Sequence, residues 1–174
     1  MKEENVVLVD ENDNSIGTMP KLEAHEKGDL HRAFSVFILN QKGQLMLQRR
    51  ALGKYHSPGL WTNTCCSHPR ESESNIEAGI RRLEEEMGFI TPLEHMFSFI
   101  YKSKFDIGLI EHEFDHVLIG YYEKTPSINT SEVAEWKWMS LDKIIAEMKN
   151  KPEDFTVWFK IIFDRFYKHI RKIE

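Results

Sequence analysis

Residues 61–88 read WTNTCCSHPRESESNIEAGIRRLEEEMG, and this stretch decides the fold of the chain around it. Its second half has apolar residues at helical spacing, which predicts an amphipathic helix. These apolar residues are Ile76, Ile80, Leu83 and Met87. Ser74 followed by Glu77 predicts a capping box at the start of the helix, and Gly88 predicts its end. The opposite face is charged, which predicts that it lies in solvent. Its charged residues are Arg81, Arg82, Glu85 and Glu86.

The loop before this helix carries a thiol and an imidazole. Cys66 and His68 are two residues apart, so an extended backbone would point both side chains the same way. A free cysteine is usually a small buried hydrophobe. The alternative for Cys66 is a proton-transfer group, because a nearby metal ion and basic residues would favour its thiolate.

Length, charge and cysteine content narrow the class of protein. The 174 residues predict one domain, residues 1–174, with a full hydrophobic core. A net charge of −5 predicts no general attraction to nucleic acid. The charged start and the lack of a long apolar run predict neither a secretory signal nor a membrane helix. The adjacent Cys65 and Cys66 cannot form a disulfide framework, which favours a reducing cytoplasmic location.

Elsewhere the pattern alternates short strands with a few helices. Strands are predicted at residues 6–9, 16–19, 33–39, 44–50, 96–102, 109–122 and 133–139. Asn40–Gly43 predicts a turn that pairs the strands on either side of it. Residues 21–30 predict a polar loop, and helices are predicted at 140–148 and 155–170. Mostly antiparallel strands with helices in the middle and at the end indicate an α+β fold.

Two carboxylates on one predicted strand suggest a cation site. Glu111 and Glu113 share a face, and buried carboxylates repel each other unless a cation or a proton lies between them. Taken alone, such a pair more often marks an exposed acidic edge. Joined by His25, His31 and His68, it would become a site of three imidazoles and two carboxylates. These ligands suit Mn, Zn, Fe or Mg, and the histidines favour Zn and Mn.

The same stretch also matches the zinc protease motif H-E-x-x-H, from His112 to His116. That motif requires a helix, because its histidines must share a face at positions i and i+4. The flanking residues are rich in Ile, Val, Leu and Tyr and are bounded by Gly108 and Gly120, which predicts a strand. A zinc protease is therefore the less favoured interpretation.

Four basic residues lie in or near the loop–helix unit. They are Lys21, Arg50, Lys54 and Arg82. They either lie in solvent or bind a diphosphate, for which arginine offers forked hydrogen bonds. Glu86 could hold Mg²⁺ against a phosphate oxygen. Tyr101 and Trp158 are core aromatics by default, although a tryptophan ring in a pocket can also stabilise a cation.

Several segments of the chain resemble the type 1 isopentenyl-diphosphate Δ-isomerases, a family of the Nudix superfamily. The most specific segment is PGLWTNTCCSHP, residues 58–69. The others are residues 18–25, 30–35, 48–54, 73–75, 81–88 and 111–115. The resemblance is strong over the first two-thirds of the chain and weak over the last third. It implies a single-domain Nudix-like α/β/α sandwich, in which helices flank a mixed, mostly antiparallel sheet.

The resemblance also implies the metal and substrate sites. An octahedral site for Mn, Zn or Mg would be formed by His25, His31, His68, Glu111 and Glu113. The Mg²⁺ bound to the substrate diphosphate would be held by Glu86 and the backbone carbonyl of Cys66. The diphosphate itself would be bound by Lys21, Arg50, Lys54 and Arg82. Trp158 would face a carbocation.

The activity implied is the interconversion of isopentenyl and dimethylallyl diphosphate in isoprenoid biosynthesis, by a cytoplasmic monomer. An acid and a base must act on opposite sides of the substrate in a dry pocket. Glu113, supported by Tyr101, would donate the proton, and Cys66 would remove one. The two roles would exchange in the reverse reaction.

The chain departs from the Nudix hydrolase box in two places that matter for function. Ser67 replaces the first glycine, and Arg82 replaces a metal-binding glutamate. A guanidinium removes a ligand and adds positive charge, which argues against hydrolysis and for diphosphate binding. A Nudix hydrolase of nucleoside diphosphate derivatives and a non-catalytic Nudix-fold binding module stay open as alternatives. Gly79 costs about 1 kcal/mol relative to alanine in mid-helix, and the sequence gives no reason for it.

Overall fold

The computed structural model describes residues 4–105 and 107–173. The strands are β1 (Asn5–Val9), β2 (Ser15–Pro20), β3 (His31–Leu39), β4 (Gln44–Arg50), β5 (Trp61–Thr62), β6 (Cys65–Ser67), β7 (Leu93–Lys104), β8 (Ile110–Tyr121) and β9 (Val133–Ser140). The α-helices are α1 (Lys21–Lys27), α2 (Asn75–Met87), α3 (Leu141–Asn150) and α4 (Val157–Ile173). A short 3₁₀ turn, Pro152–Asp154, precedes α4. None of the helices within these ranges is long and apolar enough to cross a membrane. The start of the chain, on which the expectation of no secretory signal rests, includes residues 1–3 outside the described part.

All the strands join one sheet, and β3 is its centre. On one side β3 runs parallel to β8 along its whole length, from His31 opposite Glu113 to Leu39 opposite Tyr121. On the other side it pairs antiparallel with β1, β6 and β4 in turn. The remaining pairs are antiparallel. The sheet is therefore mixed and mostly antiparallel, and the predicted α+β fold is confirmed.

Helices cover both faces of the sheet. Successive residues of β3 point to opposite faces, so this one strand contributes to the core on each side. Phe34, Val36 and Ile38 pack in a core that includes Leu83 and Met87 of α2. Phe37 and Leu39 pack in a second core, which includes buried residues of α3 and α4. The α4 members are Trp158, Phe159, Ile162, Phe163 and Phe166. Helices therefore lie on both faces, as an α/β/α sandwich requires.

Helix α2 begins and ends where the sequence predicts. Ser74 and Glu77 form the complete capping box, and Gly88 ends the helix in the left-handed conformation. The predicted apolar stripe is only partly correct, because Ile76 is exposed. The buried positions are Ala78, Gly79, Leu83, Glu86 and Met87. A Cβ on Gly79 would lie 2.9 Å from Leu118 Cδ1, so the glycine allows the helix to approach the sheet closely.

The predicted hairpin around Asn40–Gly43 forms a turn, but its strands separate at once. The only aligned pair between β3 and β4 is Leu39 with Leu45. Beyond it Thr64 lies between the strands: its Oγ1 accepts from Ile38 N at 3.0 Å and donates to the Met46 carbonyl at 2.6 Å. The segment that carries Cys65 and Cys66 is thus inserted between β3 and β4, and β4 pairs with β9 instead.

Two further boundaries differ from the sequence prediction. Residues 21–27 form α1 rather than a loop, and Gly28 ends this helix with a φ of 73°. Only Ala24 and His25 are buried in α1, so it has no apolar stripe that a periodicity argument could detect. Helix α4 begins at Val157, not Phe155, because Phe155 forms an isolated bridge with Trp61.

Gly88→Ala should destabilise the fold more than Gly43→Ala. Both glycines have left-handed backbone, with φ of 72° and 69°, where a side chain costs about 1–2 kcal/mol. A Cβ on Gly88 would also lie 2.2 Å from the Ser127 carbonyl oxygen, whereas no atom of residues 4–105 and 107–173 lies within 4 Å of one on Gly43. Urea unfolding should show a loss of about 1–2 kcal/mol for Gly43→Ala and at least about 3 kcal/mol for Gly88→Ala. Equal losses would contradict this close approach.

Candidate active site

One pocket, with a volume of about 160 Å³, is lined by residues from both halves of the chain. We call it the central pocket. The sequence-predicted site residues that line it are Lys21, His25, Arg50, Lys54, Cys66, His68, Arg82, Glu86, Tyr101, Glu111, Glu113 and Trp158. His31 is fully buried beside them. The insertion of β6 next to β3 and the parallel pairing of β3 with β8 bring the Cys66 and Glu113 side chains to the same pocket.

Three histidines and a glutamate form a buried cluster that could bind a metal ion. His25 from α1, His31 from β3, His68 after β6 and Glu113 from β8 offer ligand atoms within 4.8 Å of one another. Glu113 Oε1 lies 3.2 Å from His68 Nε2 and 3.7 Å from His31 Nε2. The Nε2 atoms of His25 and His31 are buried and have no hydrogen-bond partner among the residues that the structure describes. Buried polar atoms without partners are costly, so this arrangement fits a cation.

The outer nitrogens of two of these histidines have partners that suit metal binding. His31 Nδ1 lies 2.9 Å from the Asp29 carbonyl oxygen, which can only accept, so the Nδ1 carries the proton. His25 Nδ1 lies 3.3 Å from the hydroxyl oxygen of Tyr55. A proton on the outer nitrogen leaves the Nε2 lone pair free to bind a metal.

Glu111, the fifth predicted ligand, lies beside this cluster rather than within it. The Tyr101 hydroxyl is 2.6 Å from Glu113 Oε2 and 3.1 Å from Glu111 Oε2. Burial and repulsion from Glu113 hold the pKa of Glu111 well above its ordinary value. Burial also acts to raise the pKa of Glu113, but the contacts with His31 and His68 outweigh it and hold that pKa well below its ordinary value.

The two adjacent cysteines lie in different environments. Cys65 is completely buried in the core against α2, whereas Cys66 lies opposite Ser35 and lines the central pocket. Burial raises the pKa of the Cys66 thiol to about 12, against the opposing effect of Arg50.

Glu86 is buried at the pocket, where its predicted role as an Mg²⁺ ligand would need it, and not in solvent as the charged face of α2 alone would suggest. Gln48 Nε2 donates to Glu86 Oε2 at 2.7 Å, and Arg82 Nη2 donates to Glu86 Oε1 at 2.5 Å. Gln48 also donates to the Thr64 carbonyl at 2.7 Å, so one amide links the inserted segment to the carboxylate. Sequence reasoning missed Gln48, because a polar residue on a strand gives no signal of a partner 38 positions away.

Trp158 presents its ring to the pocket between two other side chains. The Arg50 guanidinium carbon lies 5.1 Å from the Trp158 ring centroid, and the His56 ring meets it edge-on at 5.6 Å. Sequence reasoning assigned no role to His56 or to Tyr55, which both line the pocket. Their position in the loop that carries Lys54 was the one available signal. Glu132, a third unassigned pocket residue, contacts Lys54 and Arg82.

The zinc protease interpretation is wrong, because its motif lies on β8. Residues four apart on a strand are separated by roughly 13 Å, too far to share one ion. His112 and His116 also alternate with Glu111 and Glu113 and so point to the other face. There His112 Nδ1 lies 3.0 Å from the Gly28 carbonyl and His116 Nε2 lies 2.9 Å from Asp13 Oδ2.

Comparison with known proteins gives both relatives and structural neighbours. A family profile for the NUDIX domain matches residues 29–159. "Isopentenyl-diphosphate Delta-isomerase 2" of Aromatoleum aromaticum is 50% identical over 163 residues, covering 94% of this chain and 86% of that protein. The protein of the same name from Photorhabdus laumondii is 52% identical over 162 residues, covering 93% of this chain and 92% of that protein.

Solved structures support the fold. DR0079 from Deinococcus radiodurans matches with a TM-score of 0.70 and 20% identity, covering 84% of this chain and 90% of that one. A MutT protein from Methanosarcina mazei matches with a TM-score of 0.66 and 22% identity, covering 80% of this chain and 94% of that one. At this level of identity the likeness concerns the fold alone.

Proposed function

This chain belongs to the isopentenyl-diphosphate Delta-isomerase family of NUDIX-domain proteins, and from that membership we propose that it interconverts isopentenyl and dimethylallyl diphosphate. The observation that carries the proposal is the joint presence of Cys66, Glu113 and the basic residues in the central pocket. We place the reaction in isoprenoid biosynthesis in the cytoplasm and expect a monomeric enzyme, which light scattering can test.

The reaction moves a double bond by one carbon. A proton adds to the terminal CH₂ carbon of the alkene, which leaves positive charge on the neighbouring tertiary carbon. A proton then leaves the CH₂ group on the other side of that carbon, and the new double bond forms there. The reaction thus requires one group that donates a proton and one that removes a proton, held at different faces of a short hydrocarbon chain.

Cys66 and Glu113 are the two groups that we assign to these proton transfers. They come from strands on opposite sides of β3, so a substrate in the pocket can lie between them. Tyr101 donates to Glu113 or Glu111 and holds these carboxylates in place. The ring of Trp158 supplies electron density that stabilises positive charge on the tertiary carbon.

A divalent cation fits the cluster of His25, His31, His68 and Glu113, with Glu111 available beside it. We propose Mn, Zn or Mg at this position. Bound there, the ion would neutralise the buried carboxylates and lower the pKa of groups that it contacts. Glu113 is itself buried, which limits its contact with bulk water.

The diphosphate binds to the basic residues of the pocket in this proposal. Lys21, Arg50, Lys54 and Arg82 line the pocket and would neutralise its negative charge. Glu86 and the Cys66 carbonyl would hold the Mg²⁺ that accompanies the diphosphate, as the family resemblance implies. Fixing the charged end positions the hydrocarbon between the proton-transfer groups.

Arg82 also distinguishes this proposal from a Nudix hydrolase. The guanidinium occupies a position where the hydrolase box has a metal-binding glutamate, and it contacts Glu86 directly. A cationic side chain there disfavours the several metal ions that would activate water for hydrolysis.

The direct test is isomerisation of isopentenyl diphosphate by the purified chain in D₂O with Mg²⁺ and Mn²⁺. Proton NMR should show dimethylallyl diphosphate with deuterium in a methyl group, and no phosphate or pyrophosphate should be released from a panel of nucleoside diphosphate derivatives. Release from that panel without isomerisation would establish the hydrolase alternative instead.

Arg82→Gln should weaken substrate binding, whereas Arg81→Gln should not. Arg82 lines the pocket. The neighbouring Arg81 donates a hydrogen bond to Glu73 at 2.6 Å, and neither of these two residues is part of the pocket lining. Loss of a charged hydrogen bond to the diphosphate should raise KM for isopentenyl diphosphate about 10–100-fold. Steady-state kinetics of both variants gives the comparison, and an equal rise in KM for Arg81→Gln would count against this assignment.

A further inference from the structure

Glu132 is an acidic residue that lines the central pocket next to two of the proposed diphosphate-binding cations. Its Oε2 atom contacts Lys54 Nζ and lies 3.4 Å from Arg82 Nη2. Both cationic side chains therefore contact the same carboxylate oxygen. The three side chains are largely buried, with at most 25% of each exposed. These contacts are more shielded from water than ion pairs on an open surface.

The backbone fixes Glu132 relative to both cations. Its carbonyl accepts from Ala51 N at 3.0 Å, at the start of the loop that carries Lys54. Its own N–H donates to the Asn129 carbonyl at 2.9 Å, and Asn129 N donates to the Glu86 carbonyl at 2.9 Å. Glu132 is thus tied to the loop of Lys54 and to the end of α2, so its position between the cations is built into the fold.

The environment of Glu132 imitates that of a bound phosphate oxygen. An ammonium and a guanidinium converge on one anionic oxygen, which is how proteins bind phosphate. Burial acts to raise the pKa of Glu132, but Lys54 and Arg82 outweigh it and lower that pKa, so the carboxylate is charged. The other Arg82 contacts are with Glu85 and Glu86. Lys54 Nζ and both Nη atoms of Arg82, which a diphosphate would use, are therefore already bonded to carboxylates of the chain.

We propose that Glu132 acts as a built-in competitor of the diphosphate group. It holds Lys54 and Arg82 in position in the free enzyme, gives up at least the Lys54 contact when a diphosphate binds, and returns when the product leaves. The ligand assigned here rests on the proposed function. Glu132 is a positioning residue in this scheme, since it acts through the two cations and not on the reacting carbons.

Glu132→Gln should therefore bind diphosphate more tightly. The amide keeps the shape of the side chain and its backbone contacts but removes a negative charge that repels the ligand. We expect the Kd for inorganic pyrophosphate in the presence of Mg²⁺ to fall about tenfold. KM for isopentenyl diphosphate should fall with it, while kcat should not rise. If Glu132 only stabilised the loop, its substitution would weaken pyrophosphate binding.

Isothermal titration with inorganic pyrophosphate and Mg²⁺ tests this on the full chain. Glu135→Gln is the matched control, because it changes the net charge of the chain by the same amount. Glu135 is exposed and forms an ion pair with Arg49 at 3.4 Å, and neither residue lines the pocket. Tighter binding by Glu132→Gln and unchanged binding by Glu135→Gln support the proposal. Unchanged or weaker binding by a folded Glu132→Gln protein overturns it.

A second measurement uses the wild-type chain and does not depend on the variant folding. In a crystal structure with Mg²⁺ and pyrophosphate, Lys54 should contact a phosphate oxygen in place of Glu132. An unchanged Lys54–Glu132 pair with the ligand bound overturns the proposal. Because neither experiment involves turnover, tighter pyrophosphate binding without isomerisation would contradict only the proposed function. Isomerisation with unchanged pyrophosphate affinity in Glu132→Gln would contradict only the role of Glu132.

Discussion

Cys66→Ala should lower kcat for isomerisation by about 10³-fold or more, because it removes one of the two groups that exchange protons with the substrate. The thiol lines the central pocket. Cys66 lies on β6, where it pairs with Ser35 of the neighbouring strand β3. The backbone carbonyl of Cys66 is unaffected by the substitution, so diphosphate binding should persist. We expect pyrophosphate affinity to change by no more than about threefold.

Cys65→Ala is the matched control for this experiment. Cys65 is adjacent in the sequence, but it is completely buried in the core against α2 and does not line the pocket. Its loss should cost some stability through a small cavity, about 1 kcal/mol, and leave kcat near the wild-type value. Deuterium incorporation from D₂O measures both variants in one assay. Turnover by Cys66→Ala at the wild-type rate would remove Cys66 from the chemistry.

The contrast between these two cysteines shows what the sequence could and could not predict. The spacing of Cys66 and His68 predicted a shared direction, and both line the pocket. No local pattern predicted that Thr64 lies between β3 and β4, although this insertion is what brings the cysteines there. Strand composition predicts that a strand exists, but it does not identify the neighbour with which the strand pairs.

The helices show the same limit. Helix α2 was predictable because Ser74, Glu77 and Gly88 signal its ends locally. Helix α1 was not, because Pro20 at its start makes no side-chain cap and only Ala24 and His25 are buried. His25 reaches the metal cluster from this short helix. Its role could therefore be inferred from the family resemblance but not from periodicity.

Charged residues at the pocket were the hardest to predict from their own pattern. Arg82 and Glu86 are four positions apart on the helix, a spacing that predicts an ion pair exposed to solvent. Burial of Glu86 follows from Gln48 and from the approach of the Glu132 segment, which are distant in sequence. Buried charges are stable only when paired and hydrogen-bonded, and here three separate segments supply the partners.

Glu113→Gln should abolish isomerisation and also weaken metal binding, because Glu113 takes part in both. The amide keeps the size of the side chain. Its oxygen can still accept the hydrogen bond from the Tyr101 hydroxyl, which lies 2.6 Å from Glu113 Oε2 in the wild-type chain. It loses the negative charge that lies 3.2 Å from His68 Nε2 and the ability to exchange a proton at neutral pH. We expect kcat to fall about 10³-fold or more and metal affinity to fall at least about tenfold.

Two variants on the same strand separate these effects. Glu111→Gln removes the carboxylate beside the four-residue cluster, so it should weaken metal binding less than Glu113→Gln does. His112→Gln alters the opposite face of β8 and should leave both metal content and kcat unchanged. Metal content by mass spectrometry after gel filtration, together with single-turnover rates, distinguishes the variants. Loss of metal in His112→Gln with retention in Glu113→Gln would show that the ion lies on the other face, and the arrangement proposed for the pocket could not stand.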